Sequence, residues 1–164
     1  MSERDDLLAA NAAYAEQFSL GNLTSRPIRR LAVVTCMDVR LDPAAFLGLA
    51  PGDAHVIRNA GAVVSDDVLR SLIVSNALMG AQEAVVIGHT GCGMQRYTDD
   101  EIRAQVADHA KADAGGVDFL AFRDVEESVR AGVRRIEESP LLPAPFAAFG
   151  FVYDTQTGAL QPVD

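Results

Sequence analysis

The chain has 164 residues, 49% hydrophobic and 23% charged, which suits one compact domain with its own apolar core. Its formal charge of −9 repels phosphate backbones, and the doublets Arg29-Arg30 and Arg134-Arg135 are too isolated to offset it, so no nucleic-acid partner is expected. The start, Met1 to Asp6, lacks the pattern of a secretory signal, and no apolar run approaches the roughly 20 residues that span a bilayer, so a cytoplasmic protein without membrane attachment is expected.

Leu7 to Phe18 reads as a helix with Leu7, Leu8, Tyr14, Ala15 and Phe18 as an apolar stripe, within an N-terminal helical arm over about 5–19. Gly21-Asn22 breaks it, and Arg26-Pro27 keeps the next stretch extended. Leu31 to Thr35 is a continuous apolar run of strand length, as for a strand buried on both faces. A short helix around Asp42 to Leu47 precedes the break at Pro51-Gly52-Asp53, and Ala54 to Ile57 is a short second strand. Ser65 caps a helix from Asp66 to Met79, whose first-turn acids suit the helix dipole, and Gly80 stops it. Ala84 to Ile87 is the third strand, followed by a turn from His89 to Met94 and a polar helix from about Thr98 to Lys111. Asp124 with Glu127 resembles a capping box, opening a helix whose Val125, Val129, Val133 and Ile136 share a face. Phe149 to Tyr153 and Ala159 to Val163, joined around Thr157-Gly158, predict a terminal hairpin. Buried strands alternating with helices predict an α/β fold over residues 1–164. It is a single domain with a mainly parallel central sheet flanked by helices and a C-terminal hairpin or edge strand.

Two short motifs sit just past predicted strands. Cys36-Met37-Asp38-Val39-Arg40 follows the first and His89-Thr90-Gly91-Cys92 the third, at the sheet edge where open parallel sheets bind ligands. Singly they are weak, since H-x-x-C arises by chance and a lone cysteine after a strand is usually core. Together, two thiolates and an imidazole suit zinc better than the oxygen-seeking calcium or magnesium. Three protein ligands also leave the fourth tetrahedral position open, as catalytic zinc sites do. Asp38 is the candidate for that position, with Arg40 two residues on as its guanidinium partner; a plain surface ion pair is the competing reading. His55 and His109 read as structural or surface residues, with proton transfer a minor alternative. A redox role for Cys36 and Cys92 lacks the C-x-x-C spacing.

In order and spacing, Cys36-x-Asp38-x-Arg40, Arg58-Asn59-Ala60-Gly61 and Gly88-His89-x-Gly91-Cys92-Gly93 closely resemble the β-class carbonic anhydrases, and the length resembles their compact members. The resemblance implies a zinc lyase that hydrates carbon dioxide reversibly to bicarbonate and a proton. It implies Zn2+ held by Cys36, His89 and Cys92, with Asp38 and Arg40 as the family's dyad. Asp38 would ligate zinc in a closed form, or pair with Arg40 while water takes its place. Zinc lowers the pKa of its bound water from about 15.7 towards about 7. Two thiolates donate more charge than imidazoles would, so activity should rise at alkaline pH. Arg58 and Asn59 would support the pocket, Arg58 either in a structural ion pair or against substrate, while Gly61 permits close backbone approach. Val63, Val64 and Ile87 would receive the nonpolar substrate or belong to the core. The glutamine that the plant-type branch carries before the first strand has no counterpart in Leu23 to Arg30. A homodimer or multiple of dimers is implied, the N-terminal helix lying across a partner or on its own subunit. The alternatives are hydrolysis of carbonyl sulfide or carbon disulfide on the same scaffold, and a non-catalytic structural-zinc module.

Overall fold

The structure is a computed structural model that describes residues 2–164. Strands β1 (Leu31–Cys36), β2 (Ala54–Asn59), β3 (Glu83–His89) and β4 (Ala147–Tyr153) run parallel, and β5 (Leu160–Val163) returns antiparallel along β4. The sheet order is β2-β1-β3-β4-β5. Helices α1 (Glu3–Glu16), α2 (Pro43–Leu47), α3 (Asp66–Met79), α4 (Asp99–Ala110) and α5 (Val125–Glu137) fill the connections.

Local chemistry sets most boundaries. The Ser65 hydroxyl accepts the Val68 N–H at the start of α3, and Gly80 ends it at φ +79°. Asp42 caps α2, with Pro43 in its first turn. At α5 half of the expected capping box forms: Asp124 accepts the Glu127 N–H at 3.0 Å, but the Glu127 carboxylate turns to Arg134 at 2.7 Å. Strand β2 runs two residues beyond the apolar run, because Arg58 and Asn59 still pair with Thr35 and Cys36. Their polar side chains hide that continuation from hydropathy.

One buried cluster joins Ala32, Val34, Ala84, Val86 and Ala148, which share a sheet face by parity, to Val68 and Leu72 of α3 and Val129 and Ile136 of α5. Val33, Thr35 and Ile87, of opposite parity, are also buried, so β1 and β3 are covered on both faces as the apolar runs predict. Val64 belongs to this core and Ile87 is fully buried. By contrast α1 buries none of its residues, and Leu7, Leu8 and Tyr14 on it are each more than half exposed. Among the described residues no helix is long and apolar enough to cross a membrane.

Helix α5 lies close on the sheet over glycines. A Cβ at Gly88 would stand 2.6 Å from Val125 Cγ2 and 2.9 Å from Val129 Cγ2, both on α5. Gly88→Ala should therefore destabilise the fold by about 1–3 kcal/mol through overpacking, read as a lower urea midpoint. An unchanged midpoint would show that α5 shifts away freely.

Candidate metal centre

The chain steps from β1 outward to β2 and then returns on the other side of β1 as β3. The carboxyl ends of β1 and β3 therefore flank the point where the winding reverses, a place where adjacent loops diverge and leave a crevice. Cys36 is the last residue of β1 and His89 the last of β3. Cys92 follows through Gly91, whose φ of +65° turns the chain back. The two sulfurs and an imidazole nitrogen all lie within 4.8 Å of one another, and all three residues are buried. A tetrahedral zinc ion sets such atoms about 3.5–3.8 Å apart, so a small contraction closes the site.

The imidazole is oriented for a metal. Its Nδ1 donates to the Thr90 carbonyl at 3.0 Å, which leaves the lone pair on Nε2. That Nε2 is buried and has no hydrogen-bond partner among the described residues. An orphaned buried acceptor is rare, and a cation beside the thiols explains it. The thiols point the same way. Hydrogen bonding from Cys92 pulls the Cys36 thiol well down, helped by His89 and by the Gly61 N–H, which donates to Cys36 Sγ at 3.4 Å. The same contact, with burial, pushes the Cys92 thiol up. Burial works against the imidazolium of His89, but the Cys36 thiolate and the Thr90 carbonyl outweigh it and raise the ring's pKa. One thiolate forms readily here and a second does not, unless a cation compensates both. The donor set therefore fits zinc, which takes sulfur and nitrogen ligands.

Asp38 sits beside this cluster. Arg40 grips its carboxylate twice, Nε to Oδ1 at 2.9 Å and Nη2 to Oδ2 at 2.8 Å, and also donates to the Gly91 carbonyl at 3.3 Å. The Arg40 side chain, then its backbone N–H, hold the Asp38 carboxyl far below the ordinary range. Asp38 Oδ2 lies 3.8 Å from His89 Nε2, within the same pocket but not bonded to it. Arg58 makes no ion pair among the described residues; it donates to the carbonyls of Cys36 at 2.9 Å and Asp38 at 2.8 Å. Asn59 donates to the Val63 carbonyl at 2.7 Å. Gly61 has φ +83°, and a Cβ there would meet Phe122 Cε1 at 2.8 Å. Val63 faces a cavity of about 500 Å³ shared with Val64, Leu120, Phe122, Gly132 and Arg135. His55 bonds Ser75 and the Ser25 carbonyl away from the cluster, and His109 is exposed near the end of α4.

The apolar surroundings of the thiols come from scattered segments. Leu41 and Ala62 are buried against Cys36 and Cys92, with Phe46, Met94, Phe122 and Tyr153 packed around them. The Phe46 and Tyr153 rings stack with centroids 4.5 Å apart. No spacing in the sequence marks these residues.

The carbonic anhydrase family profile matches residues 31–160. The chain is also 42% identical to beta-carbonic anhydrase 1 of Mycobacterium tuberculosis, covering 99% of both chains. It belongs to the β-carbonic anhydrase family. A crystal structure of carbonic anhydrase from Streptococcus mutans superposes with a TM-score of 0.94 at 45% identity, covering 100% of this chain and 99% of that one. A carbon disulfide hydrolase of Saccharolobus solfataricus is 32% identical over 89% of this chain and 83% of its own. The β-carbonic anhydrases are zinc enzymes, and the Cys36, His89 and Cys92 cluster is where this chain could hold a metal.

Proposed function

We propose that this chain catalyses the reversible hydration of carbon dioxide to bicarbonate and a proton, with Zn2+ held by Cys36, His89 and Cys92. The observation that carries the assignment is the buried, unpartnered Nε2 of His89 beside the buried Cys36 and Cys92, with the two sulfurs and an imidazole nitrogen all within 4.8 Å of one another. Bound zinc supplies a hydroxide nucleophile near neutral pH. The remaining work falls to the chain. Arg40 keeps Asp38 ionised and fixed, so Asp38 acts only as a hydrogen-bond acceptor, orienting the attacking water and aiming its lone pair at carbon dioxide. Its grip on Arg40 is the arrangement that leaves the fourth metal position to water; a swing onto the metal would close the site. Arg58 steadies the loop by tying the carbonyls of Cys36 and Asp38 together. Asn59 and Gly61 shape the adjoining turn, and apolar Leu41, Ala62 and Phe122 receive a substrate with no charge.

The working form is a homodimer or a multiple of dimers. The support is α1, which buries none of its residues and leaves Leu7, Leu8 and Tyr14 more than half exposed; analytical ultracentrifugation should show no monomer at micromolar concentration. A reducing, cytoplasmic compartment suits two thiols kept free for a metal.

Stopped-flow hydration assays on protein of measured zinc content test the activity. Turnover should rise from neutral to alkaline pH and vanish with a chelator. The carbon disulfide hydrolase relative supports a second substrate reading. Zinc-loaded protein that leaves carbon dioxide untouched but releases hydrogen sulfide from carbon disulfide would replace the first reading with the second.

A further inference from the structure

His89 depends on a carbonyl that is easily lost. Its Nδ1 donates to the Thr90 oxygen at 3.0 Å, and that oxygen belongs to the peptide joining Thr90 to Gly91. Gly91 stands at φ +65°. Glycine accepts both signs of φ, so this peptide can flip at little steric penalty. A flip would turn the Thr90 carbonyl away and free the ring to rotate.

Thr155, in the turn after β4, opposes the flip. Its N–H donates to Thr90 Oγ1 at 3.0 Å. Its hydroxyl lies 3.0 Å from Thr90 Oγ1 and 3.3 Å from the Thr90 carbonyl oxygen. One set of hydrogen directions uses every group. The Thr155 N–H donates to the Thr90 hydroxyl, that hydroxyl donates to Thr155 Oγ1, and Thr155 Oγ1 donates to the Thr90 carbonyl. The carbonyl then holds two donors, Thr155 and His89, one for each lone pair. On its other side Thr90 is tied by its own N–H to the Tyr153 carbonyl at 3.0 Å. Hydrogen bonds linked in one direction strengthen each other, and the group is half-buried.

We propose that Thr155 is a positioning residue for His89, acting through the Thr90 carbonyl to keep the ring's lone pair on the metal. This rests on the proposal that His89 is a zinc ligand. Pinning the turn is not the hydroxyl's purpose, because the turn has other ties. Asp154 Oδ1 accepts the N–H groups of Gln156 at 2.7 Å and Thr157 at 3.2 Å, and the Asp154 carbonyl accepts from Gly158 at 2.8 Å.

The experiment is the rate at which the zinc-loaded protein gives up its metal to an excess of chelator, beside the thermal midpoint of the metal-free protein. Thr155→Val keeps the side-chain shape and the backbone N–H but removes the relay. It should release zinc about 10-fold faster, the lower end of what loss of an outer partner to a metal-bound histidine produces, with only the small fall in the metal-free midpoint that loss of a half-buried hydrogen bond brings. Thr155→Ser restores the hydroxyl and should release zinc at the wild-type rate. Thr90→Val breaks the relay from its other end and should reproduce the acceleration, which covers the case of a valine at 155 that does not fold. Wild-type release rates in the valine variants, from protein carrying one zinc per chain, would overturn this proposal alone. Wild-type protein that binds no zinc, or a zinc whose retention is indifferent to Cys36 and Cys92, would overturn the ligand assignment and this inference with it.

Discussion

Cys92→Ser is expected to empty the metal centre and abolish carbon dioxide hydration. The serine hydroxyl nearly matches the thiol in size, so packing against Leu41 and Ala62 survives. It does not ionise near neutral pH, however, and zinc loses one of two anionic donors. Apparent zinc-binding free energies of about 10 kcal/mol or more, divided over three protein ligands, assign each roughly 3 kcal/mol, or about 10²-fold in affinity. The variant should purify with little zinc and lose nearly all of an acceleration that for enzymes is typically about 10⁶-fold or more. Folding gives an independent readout. Excess zinc should raise the thermal midpoint of the wild-type protein, since a ligand that binds only the folded state stabilises it by mass action, and should raise that of Cys92→Ser much less. Metal-free Cys92→Ser should unfold near the midpoint of metal-free wild type, because the hydroxyl nearly fills the thiol's place in the buried cluster. Full zinc content and activity in this variant would exclude Cys92 from the ligand set.

Asp38→Ala should separate metal binding from rate. The hydrogen bonds of the Asp38 carboxylate are to Arg40, two from the guanidinium and one from the backbone N–H at 3.0 Å. Zinc content should therefore hold near one per chain. The turnover number should fall by about 10²–10³-fold, the usual loss when one preorganised hydrogen-bonding group of a polar active site is removed. Asp38→Asn keeps the shape but exchanges one acceptor oxygen for a donor amide, and it should be nearly as slow. If the alanine variant retains wild-type turnover, the Asp38–Arg40 pair is a surface ion pair of little energetic worth. If it loses zinc instead, Asp38 is a metal ligand rather than an orienting acceptor.

Much of this protein was decided locally and was legible before any coordinates. β1 and β3 are continuous apolar runs because parallel strands at the middle of a sheet are covered on both faces. The bounds of α3 follow from Ser65 and Gly80, whose capping chemistry acts within one turn. Cys36, His89 and Cys92 could be picked out as a candidate cluster because few residue types ligate metals, and the structure brings the three together beside the ends of β1 and β3. Other features needed the third dimension. The stripe on α1 predicts burial, yet every residue of that helix is exposed, and hydropathy does not distinguish a face packed on its own chain from one that is not. Glu127 reads as a capping partner but bonds Arg134, because two charged groups a turn or two apart on α5 compete with the backbone for it. The apolar wall of Leu41, Phe46, Met94, Phe122 and Tyr153 gathers from separate segments, and Thr155 reaches Thr90 across 65 residues of chain. A hydroxyl or an aromatic ring carries no mark of its partner in the sequence. What it touches is set by sheet order and loop path, contacts that exist only once the whole chain has packed.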